Sequence, residues 1–75
     1  MSTLTVPKRT ASYDGGYVIV QIASTVEIRF PITASARLAK GTEAQLKNIE
    51  VSPFGLHWPE LDEDLSFQGL LNGEF

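Results

Sequence analysis

The residue types best suited to chemistry lie close together in the last third of the chain. They are the single histidine and three nearby carboxylates: His57, Glu60, Asp62 and Asp64. Histidine and carboxylate groups at short spacing can hold a divalent metal ion, and a histidine can also act as a general base. With one histidine and no cysteine, multi-histidine and thiolate metal sites within one chain are excluded.

The acidic run at residues 62–64 also has a simpler structural interpretation. It is too short for a calcium loop, lacks the glycine of such a loop, and matches no metal-ligand spacing. It comes just before a predicted final helix, where carboxylates cap exposed N–H groups and favour the positive end of the helix dipole. We therefore predict that Asp64 or Ser66 places a side-chain oxygen near the N–H groups of Gln68 or Gly69, and that the run binds no metal.

His57 and Trp58 are neighbours that would point to opposite faces of a strand. Because no nucleophile motif accompanies His57, we expect its ring to be hydrogen-bonded to the backbone or to a nearby carboxylate. Trp58 is expected in the core, because a small chain needs a large apolar anchor and the adjacent Leu56, Pro59 and Leu61 are expected to be buried. An exposed binding hot spot is the alternative for Trp58.

Other common site motifs are missing from the sequence. It contains no glycine-rich phosphate loop, no Gly-x-Ser-x-Gly elbow and no zinc motif. Its formal net charge is −3, whereas nucleic-acid-binding domains are normally basic. We therefore expect no catalytic residue, no cofactor, no metal and no nucleic-acid partner, and the small-molecule ligand is left open.

The length of 75 residues predicts one domain with a small core. We expect residues 1–12 to form a loose arm or a late-pairing edge strand, and residues 13–75 to form the folded core. No apolar run has the length of a signal peptide or of a membrane span. The lack of cysteine fits a reducing compartment, so we expect a cytoplasmic protein without a membrane partner.

The charge is unevenly distributed along the chain. All six basic residues lie before residue 48, together with three acidic residues, whereas residues 49–75 hold six acidic residues and no basic one. Such polarity can steer a partner or favour head-to-tail association of subunits. In the simpler interpretation the two halves neutralise each other within the fold.

Two segments predict an antiparallel hairpin with one buried face. Tyr17–Ala23 is rich in β-branched residues and too short for a typical helix. Val26–Phe30 alternates apolar with charged residues, and Ser24-Thr25 connects the two strands. The residues on the buried face of the second strand are expected to be Val26, Ile28 and Phe30.

Short helices are predicted after the hairpin. Thr33 can cap a helix over residues 34–39, and Thr42 can cap another over residues 43–47. The inward-facing anchors of these two helices are expected to be Leu38 and Leu46. The complete prediction is an α+β fold, with a small antiparallel sheet of about four short strands (hairpin 17–30, then strands near 49–52 and 56–58) and short helices, including a C-terminal helix near 66–71.

The C-terminal half carries a family resemblance. The run from Gly55 to Ser66, followed by Gly69-Leu70-Leu71 and Gly73, resembles the signature segment of domain-of-unknown-function 2442. Phe30-Pro31-Ile32 and Arg37-Leu38 are similar to the middle of that family, so the resemblance spans about residues 17–73. The signature positions in this chain are Gly55, His57, Trp58, Pro59, Asp62, Asp64, Ser66, Leu70 and Gly73.

This resemblance implies a small α+β fold and no known activity. It also implies bacterial or phage-like settings, sometimes beside another small domain, and hence a paired or toxin–antitoxin-like role. The chain departs from the family at its Ser24-Thr25 turn, where an Asp-Gly-Arg type turn is common. It also departs at residues 34–36, where the family often has an aromatic residue and a proline, so any partner contact made by that stretch is in doubt.

Two classes of function remain open at this stage. The first is a non-enzymatic protein–protein interaction or regulatory module, because a small core and an unpaired hairpin edge invite a partner or self-association. The second is a small hydrolase or a ligand- or metal-binding protein that uses His57 and the acidic cluster.

Overall fold

A computed structural model of the chain describes residues 9–75. This part contains six β-strands, three short α-helices and one 3-10 turn. The strands are β1 (Thr10–Asp14), β2 (Tyr17–Ala23), β3 (Val26–Pro31), β4 (Glu50–Val51), β5 (Gly55–Trp58) and β6 (Glu63–Ser66). The α-helices are α1 (Ala36–Ala39), α2 (Glu43–Lys47) and α3 (Phe67–Leu71), and the 3-10 turn is Ile32–Ala34. The α+β class is confirmed.

The first sheet has the order β1-β2-β3 and is antiparallel throughout. The predicted hairpin of β2 and β3 is confirmed, with Ala23 opposite Val26 across the two-residue turn. Gly15 and Gly16 connect β1 to β2, and both have positive φ, a backbone conformation that glycine adopts without a steric penalty. Strand β1 includes residues 10–12, which were predicted to belong to the arm, and Arg9 directly precedes it; residues 1–8 of that arm lie outside the described residues.

The buried face of the hairpin agrees with the predicted alternation except at its tip. Phe30 is buried and Ile28 is half-buried, while the charged residues of the same strand, Glu27 and Arg29, are exposed. Val26, which was predicted to be buried, is 44% exposed. The prediction was wrong there because the register shifts between Gln21 and Ala23 and Val26 lies beside the turn, at the end of the sheet.

The second sheet has the order β4-β5-β6 and is also antiparallel. Strands β4 and β5 confirm the strands predicted near 49–52 and 56–58. Strand β6 was not predicted, and it pairs with β5 over four residue pairs. The strands therefore form two three-stranded sheets instead of one sheet of four strands.

Two of the three α-helices begin at the residues that the sequence indicated. Thr42 caps α2 in a capping box with Gln45, and Ser66 caps α3 by accepting a hydrogen bond from the Gly69 N–H group at 2.9 Å. Helix α1 is capped by Ser35 and not by Thr33. The prediction failed there because Ile32–Ala34 forms a 3-10 turn, so the helix begins two residues later than expected.

Both sheets contribute to one cluster of buried side chains. Its members come from β2, β3, β5, β6 and all three α-helices: Val18, Val20, Phe30, Leu38, Leu46, Leu56, Trp58, Leu65, Phe67 and Leu70. Trp58 is fully buried, and its indole N–H group donates to the Leu46 carbonyl at 3.1 Å. Two of the neighbours of Trp58 were wrongly predicted to be buried. Leu61 is half-buried, and Pro59 is exposed in the turn that follows β5.

Candidate functional site

The candidate site centres on a hydrogen bond between two strands of the second sheet. His57 on β5 lies opposite Asp64 on β6, and His57 Nδ1 donates to Asp64 Oδ1 at 2.6 Å. Both side chains are reachable from solvent, with 37% of His57 and 77% of Asp64 exposed. The expectation that a nearby carboxylate orients the His57 ring is therefore confirmed.

A second carboxylate lies on the other side of the same histidine. Glu50 on β4 is paired in register with His57, just as Asp64 is on β6. Directly opposite residues of an antiparallel pair project their side chains to the same face of the sheet. The outer face of the second sheet thus carries a row in which a histidine stands between two acidic residues.

The remaining acidic residues of the predicted cluster are used elsewhere. Asp62 has a φ of 51° in the turn before β6, where Arg37 of α1 donates to its backbone carbonyl and contacts its carboxylate at 3.4 Å. Glu60 accepts a hydrogen bond from Asn48 at 3.0 Å. The expected four-residue cluster is therefore reduced to the pair of His57 and Asp64.

The acidic run was predicted to cap the last helix, and that prediction is wrong for its aspartates. The prediction that Ser66 caps this helix is confirmed. Asp64 lies within β6, and its carboxylate accepts from His57 instead of from the first N–H groups of α3. Ser66 alone caps that helix. Within residues 9–75, no three of the histidine and acidic side chains come together in a way that could hold a metal ion.

A groove runs beside the histidine–aspartate pair along the outer face of the second sheet. Its volume is about 170 Å³, and its lining residues are Ser52, Phe54, Gly55, Leu56, His57, Asp64, Leu65 and Ser66. Phe54, in the turn between β4 and β5, is 82% exposed, the highest value among the large apolar residues of the described chain. Pro53-Phe54-Gly55 has the sequence of a turn, and an aromatic residue at such a turn is the signal that the sequence offers for this position.

The hydroxyl groups in this groove are already engaged by the backbone. Ser52 Oγ accepts from the N–H groups of Phe54 and Gly55, each at 3.2 Å, and donates to the Gly55 carbonyl. Ser66 Oγ accepts from the Gly69 N–H group. Both serines therefore stabilise the turn and the helix start that shape the groove.

Gly55 allows β5 and β6 to approach each other at the floor of the groove. A Cβ atom at this position would lie 2.2 Å from the Leu65 carbonyl oxygen and 2.8 Å from Ser66 Cα, far inside van der Waals contact. Residue 55 must therefore be glycine for a steric reason. The close approach of the two strands keeps the adjacent Phe54 next to the sheet.

One basic side chain borders the turn that carries Phe54. Arg9 donates to the Pro53 carbonyl at 3.1 Å, and its guanidinium lies 4.9 Å from the centre of the Phe67 ring. A guanidinium over an aromatic face gains a modest electrostatic attraction. Arg9 therefore fixes the start of the described chain against the second sheet.

These features define a small α+β domain with a groove on its second sheet. A family model described as a protein of unknown function, DUF2442, matches residues 9–75, and the chain belongs to this family. The expected resemblance is therefore confirmed over nearly the whole chain.

A solved structure supports the same fold. The chain is similar to the crystal structure of a protein of unknown function from Rhodospirillum rubrum ATCC 11170, with 34% identity and a TM-score of 0.80. The match covers 95% of this chain and 92% of that chain. The search of curated proteins found no match. Among the described residues, no helix has the length and apolar character needed to cross a membrane.

The family signature maps onto residues with definable structural roles. Gly55 permits the close approach of two strands, and Trp58 fills the core. Gly73 has a φ of 74° and ends α3 in a Schellman motif, in which the Glu74 N–H group donates to the Gly69 carbonyl at 2.8 Å. Three signature positions, His57, Asp64 and Ser66, line the groove with polar side chains. The Ser66 hydroxyl caps α3, whereas His57 and Asp64 are reachable from solvent.

Proposed function

We propose that this protein is a non-enzymatic interaction module that works by binding another protein chain. The observation that carries the proposal is the exposed Phe54 beside a groove. An aromatic side chain fixed in a rigid turn and exposed to water is the type of residue that dominates binding energy at protein interfaces.

The size of the groove supports a protein partner over a small molecule. Sites for drug-sized ligands and cofactors measure about 300–1,000 Å³, whereas this groove measures about 170 Å³. It therefore suits one side chain of a partner whose remaining contacts spread over the surrounding surface.

The engaged serine hydroxyls support a non-enzymatic role. A histidine held by an aspartate can activate a serine as a covalent nucleophile when the serine hydroxyl is free to donate to the ring within hydrogen-bond reach. Ser52 and Ser66 line the same groove, but each is hydrogen-bonded to backbone groups. We also propose a cytoplasmic location, which the cysteine-free sequence favours.

A pull-down from the native cell, with the tagged protein as bait and mass spectrometry as readout, tests this proposal. Sedimentation velocity at micromolar concentration, at low and at high salt, tests association with a second copy. We expect a specific partner that the tag alone does not capture. A strictly monomeric protein together with an empty pull-down would contradict the proposal.

The second candidate is a small hydrolase or ligand-binding protein built on the pair of His57 and Asp64. The specific observation in its favour is the 2.6 Å bond from His57 Nδ1 to a carboxylate, which leaves the other ring nitrogen available. Isothermal titration with divalent metals and nucleotides, and assays with activated esters, test it. Binding or turnover that His57→Asn abolishes would replace the interaction proposal with this one.

A further inference from the structure

We infer that the groove beside Phe54 is the docking site for a lysine- or arginine-bearing segment of another protein. An apolar side chain of that segment contacts Phe54 in the groove, and a neighbouring positive charge lies beside Asp64 and Glu50. This inference rests on the proposed interaction function and adds the surface and the chemistry of the partner.

The position of Phe54 makes it suitable as an anchor. The turn that carries it is held by the three hydrogen bonds of Ser52, and the Phe54 carbonyl accepts from the Phe67 N–H group at 2.9 Å. A ring on a backbone fixed at both ends loses little conformational entropy when it is covered.

The charge around the groove selects a cationic partner. Asp64 lines the groove, and Glu50 is paired with His57 on the opposite side of the row. The sequence has six acidic residues and no basic one after residue 48. Arg9, which borders the turn that carries Phe54, contacts the Pro53 carbonyl and the Phe67 ring and makes no ion pair with Asp64 or Glu50. Complementary charge raises the rate of encounter and rejects partners of the same sign.

The basic residues of the chain itself are mostly occupied, which favours a foreign partner over a second copy. Four of the five basic residues in the described part make contacts within the chain. Arg37 binds Asp62, Lys47 binds Glu43, Arg9 lies over Phe67, and Arg29 lies 5.9 Å from the centre of the Tyr17 ring. A second copy would therefore offer few cationic side chains without an existing partner, whereas a foreign segment can supply a lysine or arginine that makes no other contact.

A random peptide library displayed on phage tests the inference directly. With the folded protein as bait, we expect the enriched peptides to carry lysine or arginine close to an apolar residue. Binding of the strongest peptide is then measured against Phe54→Ser, Asp64→Asn and Glu50→Gln. We expect Phe54→Ser to weaken binding by roughly tenfold or more, as loss of a central aromatic contact does, and the two charge variants to reduce the salt dependence of binding.

Matched controls lie on the first sheet, away from the groove. Val26→Ser removes an apolar side chain that is also exposed, and Glu27→Gln removes an exposed carboxylate. Both variants are expected to bind the selected peptide as the wild type does. Circular dichroism on each variant confirms that the fold is retained.

Several outcomes would overturn the inference. They are an absence of enriched peptides, an enrichment of acidic peptides, and peptides whose affinity Phe54→Ser leaves unchanged. A dimer in sedimentation velocity that Phe54→Ser converts to a monomer would assign the groove to a second copy instead. If the native pull-down captures a specific partner that Phe54→Ser still binds, the interaction function stands and only this surface is wrong.

Discussion

At the scale of single residues, Trp58 is the largest of the fully buried side chains. It lies on β5 next to His57, and its indole N–H group is satisfied by the Leu46 carbonyl of α2. One side chain thus joins the second sheet to a helix through both packing and a hydrogen bond. Truncating it leaves a cavity and an unpaired carbonyl group.

We therefore expect Trp58→Ala to lower the free energy of unfolding by about 3–5 kcal/mol. A domain of this size usually has only a few kcal/mol of net stability, so the variant should be largely unfolded. Urea denaturation followed by circular dichroism measures the change. Phe54→Ala is the control, with an expected change within about 0.5 kcal/mol because its side chain is exposed. A near-wild-type melt of Trp58→Ala would contradict the burial of the indole.

Gly55 gives a second prediction at this scale. A Cβ atom there would collide with the backbone of β6, which cannot move without breaking the strand pairing. We expect Gly55→Ala to cost about 3 kcal/mol, at the upper end of overpacking. Gly73→Ala is the control, because a Cβ there meets nothing within 4 Å and only the positive φ is strained, at about 1 kcal/mol. Equal losses in thermal melts of the two variants would show that the close approach at Gly55 is unimportant.

At the scale of elements, the helices illustrate which local signals the sequence carries. Thr42 and Gln45 form a reciprocal cap, in which each side chain accepts from the backbone N–H group of the other. Thr33 has the same residue type but lies in a 3-10 turn, and the cap of α1 is Ser35. A threonine before a helical pattern is therefore a cap only where the following backbone is α-helical.

We expect Thr42→Ala to destabilise the protein by about 1 kcal/mol, the usual loss for an N-cap. Thr33→Ala is the matched control and should change stability by less than about 0.5 kcal/mol, since Thr33 is exposed and caps no helix. Thermal denaturation of both variants measures the difference. A larger loss for Thr33→Ala than for Thr42→Ala would reverse the assignment of the caps.

The elements that the sequence predicted are those whose own residues specify their geometry. The caps at Thr42 and Ser66 and the alternation in β3 are local signals of this kind. Strand β6 was missed because its sequence, Glu63-Asp64-Leu65-Ser66, is poor in strand-forming residues. It is a strand because of its pairing with β5, which is a tertiary contact.

The candidate site was predictable only in part for the same reason. His57 and Asp64 were recognised by residue type, but their contact depends on a strand register that no local pattern indicates. Because no local pattern indicates β6, the sequence predicts Asp64 as a cap of the helix that follows. The exposure of Phe54 could not be predicted, because the sequence of a turn does not reveal whether an aromatic side chain in it folds back onto the core or faces water.

At the scale of the whole molecule, the two sheets share one hydrophobic core. Val18 and Val20 of the first sheet and Leu56 and Trp58 of the second belong to the same buried cluster, together with residues of all three α-helices. Arg37 of α1 also binds the turn that precedes β6, through an exposed contact that contributes little by itself. The stability of each sheet therefore depends on the apolar surface that the other one covers.

The last prediction is that the two sheets unfold in a single cooperative step. Val20→Ala removes buried apolar surface from the first sheet, and we expect it to lower stability by about 2 kcal/mol. Trp58 is the only tryptophan and lies in the second sheet, so its fluorescence reports on the sheet that was not altered. Urea denaturation is therefore followed by Trp58 fluorescence and by far-ultraviolet circular dichroism on the same samples.

Coincident transitions by the two probes, both moved to lower urea concentration in Val20→Ala, would establish one folding unit. The exposed residue Val26 supplies the control, since Val26→Ala lies in the same sheet but outside the buried cluster and should leave both midpoints nearly unchanged. If the fluorescence midpoint stays at its wild-type value while the dichroism midpoint falls, the sheets fold independently. In that case the groove beside Phe54 would retain its shape when the first sheet is lost, and peptide binding would persist in the partly unfolded protein.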